Sequence, residues 1–254
     1  MRAAGLLELQ LKPPFEELRW TASLAGASQA ALRQRGVELL LGIRAGERLT
    51  LAASCLSEAL PAALAAAGID CISIDYRDAE GAPRLHLVGD VRLVLYARWW
   101  YAVVGAPPCT HTALSGRGSH WWKVERGLQW GAIAFYVLLW CAPADIVLLE
   151  HPASVVPQYV DVPVRVVQPY MLPGGGDERK ETWIAARGAG PIKLRPEDEW
   201  PALTRNYTGP AGLAVLGDKE ARDRVRSRWS VALAEAMAMA IGAAAPKSGG
   251  GGGG

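Results

Sequence analysis

Two residues of this 254-residue chain carry chemistry that their immediate neighbours sharpen, Cys109 and Glu150. Cys109 ends the stretch "AVVGAPPC", directly after Pro107 and Pro108. Each proline fixes its own backbone angle and restricts the residue before it, so the approach to the cysteine is extended and low in entropy. Such a lead holds a sulfur in place without further ordering. A loop proline pair with an incidental cysteine is the plainer reading of the same residues. Glu150, in "DIVLLEHP", closes an apolar run and precedes His151 and Pro152. A carboxylate at the tip of a buried strand is costly unless it is paired, protonated or in use. A solvated strand-end glutamate is the alternative. On neighbouring strand tips, a thiolate and a carboxylic acid suit addition to an electron-poor ring: sulfur attacks carbon while the acid protonates a ring nitrogen.

The elements that must position these groups are legible from residue 47 onward. "RLTLAAS" (48–54), "DCISIDY" (70–76), "RLHLVGDV" (84–91), "WYAVVGAPPC" (100–109) and "DIVLLEHP" (145–152) read as strands. "VRVVQPY" (164–170) and "ETWIAARG" (181–188) read as later ones. "SEALPAALAAAG" (57–68) predicts a helix stopped by Gly68, "VERGLQWGAIAFYVLLWC" (124–141) a long helix, and "RSRWSVALAEAMAMAIG" (226–242) a terminal one. Strands alternating with helices predict an α/β fold with a parallel sheet covered on both faces. Ligands of such sheets bind beyond the carboxyl ends of the strands. Ser54, Asp75, Asp90, Cys109 and Glu150 each end or follow a strand, which points to one shared site. No internal repeat is evident. Residues 1–46 contain one helix candidate, "SQAALRQRGVELLLGI", and read as an N-terminal extension of unknown role; 47–244 form the main domain and 245–254 a flexible glycine-rich tail.

Composition narrows the classes. Half of the residues are apolar and a fifth are charged, so a buried core is expected and wholesale disorder is not. A formal net charge of +2 neither demands nor excludes nucleic acid, because a local basic groove can sit on a nearly neutral protein. Four cysteines without a C-x-x-C pair predict a reduced, cytoplasmic protein. Glu8 interrupts any signal-peptide core, and the apolar stretch 130–143 is too short to span a bilayer, so neither secretion nor a membrane is expected.

From about residue 50 to 242 the chain resembles the small DNA cytosine-5 methyltransferase-like proteins of phages and related bacterial genomes. "APPCTHTALSGRGSHWW" is similar to their Pro-Pro-Cys-Thr segment with its following Ser-Gly-Arg and tryptophan pair. "LLEHP" occupies the place of their Glu-Asn-Pro, and "VVQPYMLPGGGDERKETWIA" is similar to their Gln-Pro-Tyr, Lys-x-Thr and Trp run. "RSRWSVALAEAMA" is similar to their closing turn and helix. The resemblance implies a Rossmann-like sheet that binds S-adenosylmethionine, with helices on both faces, and methyl transfer to carbon 5 of cytosine in DNA. It makes Cys109 the nucleophile at carbon 6 and Glu150 the acid at nitrogen 3. It assigns Ser54, Ser57, Asp75, Asp90 and Pro107 to the cofactor, with Ser230 either touching it or capping the last helix. A turn cap is the plain alternative for Asp90. Thr110 and Ser115 would shape the base pocket, and Arg117, Arg179 and Lys180 would contact phosphate or base oxygens unless they form a solvated face. The basic run 222–228 would add backbone affinity, and Trp121 and Trp122 either stack on a base or pack over the loop.

Three departures from that pattern stand out. His151 replaces an asparagine beside the glutamate, "SCLSEAL" lacks the glycine of the cofactor turn, and no insertion is long enough for a large target-recognition domain. Two rivals follow. A catalytically degenerate member would keep the fold and bind nucleic acid or a partner without turnover. A metal protein would use Cys109, His111 and His120, although Cys-x-His is no established zinc spacing and no metal is expected. Free nucleotides in place of DNA are a closer variant of the first reading. The residues leave the oligomeric state open.

Overall fold

The computed structural model describes residues 19–21, 48–54, 59–77, 86–114, 126–176, 178–201, 205–206 and 230–244. Its strands are β1 (Arg19–Thr21), β2 (Thr50–Ala53), β3 (Cys71–Asp75), β4 (His86–Val88), β5 (Trp100–Gly105), β6 (Ala144–Pro152), β7 (Val164–Val167), β8 (Glu178–Arg179), β9 (Thr182–Arg187) and β10 (Arg205–Asn206). The helices are α1 (Ala59–Ala66), α2 (Arg92–Leu95), α3 (Arg126–Trp140) and α4 (Val231–Gly242). Eight of the described strands form one mixed sheet in the order β1-β4-β3-β2-β5-β6-β9-β7, while β8 and β10 pair separately. The helix candidate within 1–46 and the basic run 222–228 lie outside the described residues.

Strands β4, β3, β2, β5 and β6 pair in parallel. Their chain order doubles back at β2, whose neighbours are β3 on one side and β5 on the other. Open α/β sheets receive ligands in the crevice beyond the carboxyl ends of the strands at such a reversal, here β2 and β5. Burial explains why these segments are strands. Leu51 and Ala53 face one side with Val103, Val147 and Leu149, while Ala52 faces the other with Ala102, Val104, Ile146 and Leu148. Both faces are dry, so the strands read as continuous apolar runs rather than as alternating ones. The first face is covered by α2 and α3 through Val94, Leu95, Ile133, Tyr136 and Leu139. The second is covered by α1 and α4 through Leu60, Leu64, Leu233, Met237 and Ile241. Fully burying one such aliphatic side chain contributes about 1.5–3 kcal/mol, which makes these two layers the source of the fold's stability.

The sheet is not all parallel, as the strand-helix alternation suggested. β9 runs antiparallel to both β6 and β7, and β1 runs antiparallel to β4. A parallel neighbour needs a crossover, usually a helix. The segment joining β7 to β9 holds a 3₁₀ turn (Pro169–Met171) and β8 in place of a helix. It therefore returns the chain as an antiparallel strand. Three residues of the expected N-terminal extension, Arg19–Thr21, supply the edge strand β1.

Two glycines hold positive φ at strand and helix ends, Gly68 at 71° and Gly188 at 73°. A Cβ at Gly68 would meet open space, whereas one at Gly188 would collide with the backbone carbonyl of Asp145. Gly68→Ala should therefore cost about 1–2 kcal/mol, the left-handed penalty alone. Gly188→Ala should cost roughly 1–3 kcal/mol more for the overpacking. Paired denaturant unfolding curves check the order; equal losses would refute the close approach.

Candidate active site

The cysteine loop begins where β5 stops. Neither Pro107 nor Pro108 has an N–H for a sheet ladder, so β5 closes at Gly105. Pro107 is buried and Pro108 exposed, and the lead delivers Cys109 half-buried and Thr110 exposed. The chain then turns at once: the Cys109 carbonyl accepts the N–H groups of Thr112 (3.0 Å) and Ala113 (2.8 Å). Cys71, Cys109 and Cys141 are in no disulfide. At the start of the lead, Ala106 donates its N–H to the Ala53 carbonyl (3.3 Å), which brings the cysteine approach beside Ser54.

Glu150 lies on β6, the strand next to β5. Gly105 is level with Leu149 across the parallel pair, so Glu150 emerges one residue above the point where the cysteine lead departs. Across β9 it is level with Ile184. The side chain is half-buried. Burial raises its carboxyl above the usual 4.5, and the positive charge of Lys180 opposes that rise. Lys180, which precedes β9, is thus electrostatically coupled to Glu150. Arg179 lies on β8.

The loop is bound to the end of β6 by three backbone links. Leu114 donates to Ala153 (2.8 Å), Val155 donates to Thr112 (2.9 Å), and Ala113 bridges Ser154. A side-chain link joins them. Thr112, 2% exposed, and His151, 3% exposed, meet with Thr112 Oγ1 3.1 Å from His151 Nε2. His151 Nδ1 stands 2.9 Å from the Pro152 carbonyl. A carbonyl only accepts, so the ring proton is on Nδ1, and Nε2 accepts from the threonine hydroxyl. Burial lowers the pKa of His151, partly opposed by the Pro152 bond, which keeps this neutral tautomer. The Tyr136 ring of α3 meets the imidazole edge-on at 5.9 Å between centroids. His151, which follows Glu150 in β6, is thus packed between Thr112 and Tyr136. Gln129 of α3 also reaches the loop, donating from Nε2 to the His111 carbonyl (3.4 Å).

The opposite wall lies at the tips of β2, β3 and β4. Ser54 has φ 53°, a left-handed conformation otherwise held only by glycines among the described residues. Of the stretch 54–58 only Ser54 is described, and its left-handed backbone carries strain. Asp75, 6% exposed, ends β3. Its Oδ1 accepts the Arg77 N–H at 3.1 Å and stands 3.9 Å from Arg77 Nε. Burial raises the Asp75 pKa against the lowering effect of Arg77 and His86. His86 is itself locked, with Nε2 donating to the Arg77 carbonyl (3.0 Å) and Nδ1 accepting from Ser73 Oγ (2.8 Å). Tyr76, 69% exposed, presents an aromatic face beside Asp75, with the Arg77 guanidinium over its ring at 4.8 Å. Tyr76, Arg77 and Thr112 were not singled out from the sequence; an aromatic directly after a strand-end acid was the available signal for Tyr76.

Two cofactor candidates, Asp90 and Ser230, make local contacts. Asp90 Oδ1 accepts the Arg92 N–H (2.9 Å), and its carboxylate is paired with the Arg92 guanidinium, a hydrogen bond that lowers the Asp90 pKa. Ser230 caps α4, its Oγ accepting the Leu233 N–H at 3.2 Å. Ser57, Ser115, Arg117, His120, Trp121 and Trp122 lie outside the described residues. Among the described residues no three metal-ligating side chains gather, and no helix is long and apolar enough to cross a membrane.

No family model and no curated protein matches the chain. Among solved structures it is similar to a prophage-encoded E. coli protein provisionally assigned as a DNA modification methyltransferase, at 15% identity and a TM-score of 0.34. The likeness covers 54% of this chain and 45% of that one, so the chain spans less than half of that protein's length.

Two stability tests follow. Replacing Ser54 by glycine removes a left-handed penalty of about 1–2 kcal/mol and adds roughly 0.5–1 kcal/mol of glycine entropy. Ser54→Gly should therefore raise the melting temperature; a fall would show that the serine side chain outweighs the strain. For Glu150, a folded pKa above 4.5 means that the native state holds the proton more tightly than the unfolded chain. Its contribution is greatest below the ordinary value and is lost as pH rises toward the folded one. Glu150→Gln should make that decline shallower, with Asp75, also raised, retaining part of it. Urea midpoints measured from pH 4 upward test this, and an unchanged slope would refute it.

Proposed function

We propose that the chain is an S-adenosylmethionine-dependent DNA cytosine-5 methyltransferase of Rossmann-like fold. The observation that carries this reading is the register of β5 against β6, which puts a proline-led thiol and a partly desolvated carboxyl at adjacent strand ends. The doubling-back of the parallel strands at β2 supports the Rossmann-like assignment, with β9 as an antiparallel addition.

The residues beside that crevice fit the cofactor. The Ser54 turn allows close backbone approach, the Asp75 carboxylate suits ribose hydroxyls, and the Tyr76 face suits an adenine ring. When bound, S-adenosylmethionine supplies an electrophilic methyl group. The protein's own task is to make carbon 5 of cytosine nucleophilic. Cys109 sulfur, as thiolate, forms a bond to carbon 6, and the electron pair displaced from the 5,6 double bond is drawn toward nitrogen 3. Glu150, whose raised pKa suits a proton donor, delivers its proton there. Carbon 5 is then part of an enamine. With the methyl group joined to carbon 5, loss of that carbon's proton to a base, expulsion of sulfur from carbon 6 and return of the nitrogen 3 proton to Glu150 would restore the ring. A duplex base would first have to be flipped out, at a few kcal/mol for unstacking. Thr110 would border the base, and Arg179 and Lys180 would meet phosphate or base oxygen.

A binding-only descendant has one observation in its favour, the commitment of Asp90 to Arg92. One experiment separates the two. Duplex DNA containing 5-fluorocytosine, incubated with the protein and labelled S-adenosylmethionine, should yield a covalent protein–DNA adduct resistant to denaturation. Cys109→Ala should abolish it, and Glu150→Gln should slow it by roughly 10²–10⁴-fold, the range of general acid catalysis. Methylation that survives Cys109→Ala would refute the covalent mechanism. Binding of DNA without adduct or methyl transfer would favour the descendant.

A further inference from the structure

We propose that Thr112 and His151 form a positioning pair that sets the Cys109 turn against the end of the Glu150 strand; this rests on the methyltransferase reading above. The pair spans 39 residues of sequence, and both members are almost fully buried. Thr112 belongs to the same turn as Cys109, because its own N–H closes that turn on the Cys109 carbonyl. His151 directly follows Glu150 in β6. The single Oγ1···Nε2 hydrogen bond therefore ties the residue after the proposed acid to the turn that carries the proposed nucleophile.

Its geometry is determined from both ends. Pro152's carbonyl holds the Nδ1 proton, which leaves Nε2 as an acceptor of one defined direction. Tyr136 packs against the ring edge and anchors it to α3. The threonine hydroxyl has two acceptors in reach, Nε2 at 3.1 Å and the Cys109 carbonyl at a long 3.4 Å. The shorter contact takes the proton. The pair also lies beside the backbone links of Leu114 to Ala153 and Val155 to Thr112, so one cluster holds the crossing of loop over strand. A hydroxyl and an imidazole are costly to bury, and here each is satisfied by the other and by the carbonyls of Cys109 and Pro152.

The role is separable from simple support of the fold. Thr112→Val is nearly isosteric and removes the hydroxyl; Thr112→Ser keeps it. Thr112→Val should lower the single-turnover rate of adduct formation on 5-fluorocytosine DNA by about tenfold or more, the scale of small misplacements of a reacting group. S-adenosylmethionine affinity should stay within about twofold, since β5 separates the His151 strand β6 from β2 and β3, which lead to Ser54 and Asp75. Thr112→Ser should recover most of the lost rate. Hydrogen exchange gives a readout independent of activity: the amides of Ala113, Leu114 and Val155 should exchange about fivefold faster in Thr112→Val, as expected for one lost hydrogen bond. A wild-type rate in Thr112→Val, or an equal loss in Thr112→Ser, would overturn the positioning role. If the wild-type protein forms no adduct, the methyltransferase reading fails, and the exchange rates alone decide whether the pair latches the loop: unchanged rates would sink it.

Discussion

The parallel pairing of β5 with β6 is the constraint on which the candidate site depends. Val103, Val104 and Gly105 lie level with Val147, Leu148 and Leu149, and all six residues are buried. A slip of one residue would turn each apolar side chain toward the opposite helical layer, so the register is strongly specified. Gly105 closes the pairing under tight packing, since a Cβ there would stand 3.2 Å from Leu139 Cδ1 and 3.3 Å from the Ala53 carbonyl. Glycine lets β2, β5 and α3 converge at the strand ends. The cysteine lead and Glu150 then emerge at the same height because their strands have nowhere else to go.

Above that height the structure departs from low-energy choices at several points. Ser54 holds a left-handed backbone, Glu150 and Asp75 are carboxyls whose surroundings favour the proton, and His151 is a polar ring sealed from water. Each is unfavourable alone, and each sits toward the carboxyl end of a strand whose interior is buried. The two helical layers supply the stability that tolerates them. A concentration of strained and desolvated groups at one end of a sheet is what functional sites impose on a fold.

Most of the strands and helices were legible in the sequence because burial on both faces writes long apolar runs between turn residues. Strand direction was not. "ETWIAARG" carries no mark of antiparallel pairing, which depends on the length and content of the connection before it. The strand-end placement of Asp75, Cys109 and Glu150 was readable for the same reason as the strands. The Thr112–His151 bond was not, since nothing local to either residue names a partner on another strand. Ser54 is a backbone case of the same kind: nothing about a serine marks the left-handed conformation that it holds. Residue type signals a conformation only when no other residue is forced into it.

Glu150 and His151 show how one strand end can serve two functions. Along β6 successive side chains alternate between faces. Ile146 and Leu148 join the layer of α1 and α4, and Val147 and Leu149 join that of α3. The same alternation sends Glu150 toward the layer of α1 and α4, where Ile184 is its neighbour in register and Lys180 its charge partner, and His151 toward the layer of α3, where Tyr136 meets it. The carboxyl and the imidazole are consecutive in the chain but belong to opposite sides of the sheet. A change to the carboxyl therefore leaves the clamp on the cysteine turn intact, and a change to the clamp leaves the carboxyl's own surroundings in place. On the proposed reading, chemistry and positioning are divided by the pleat of a single strand.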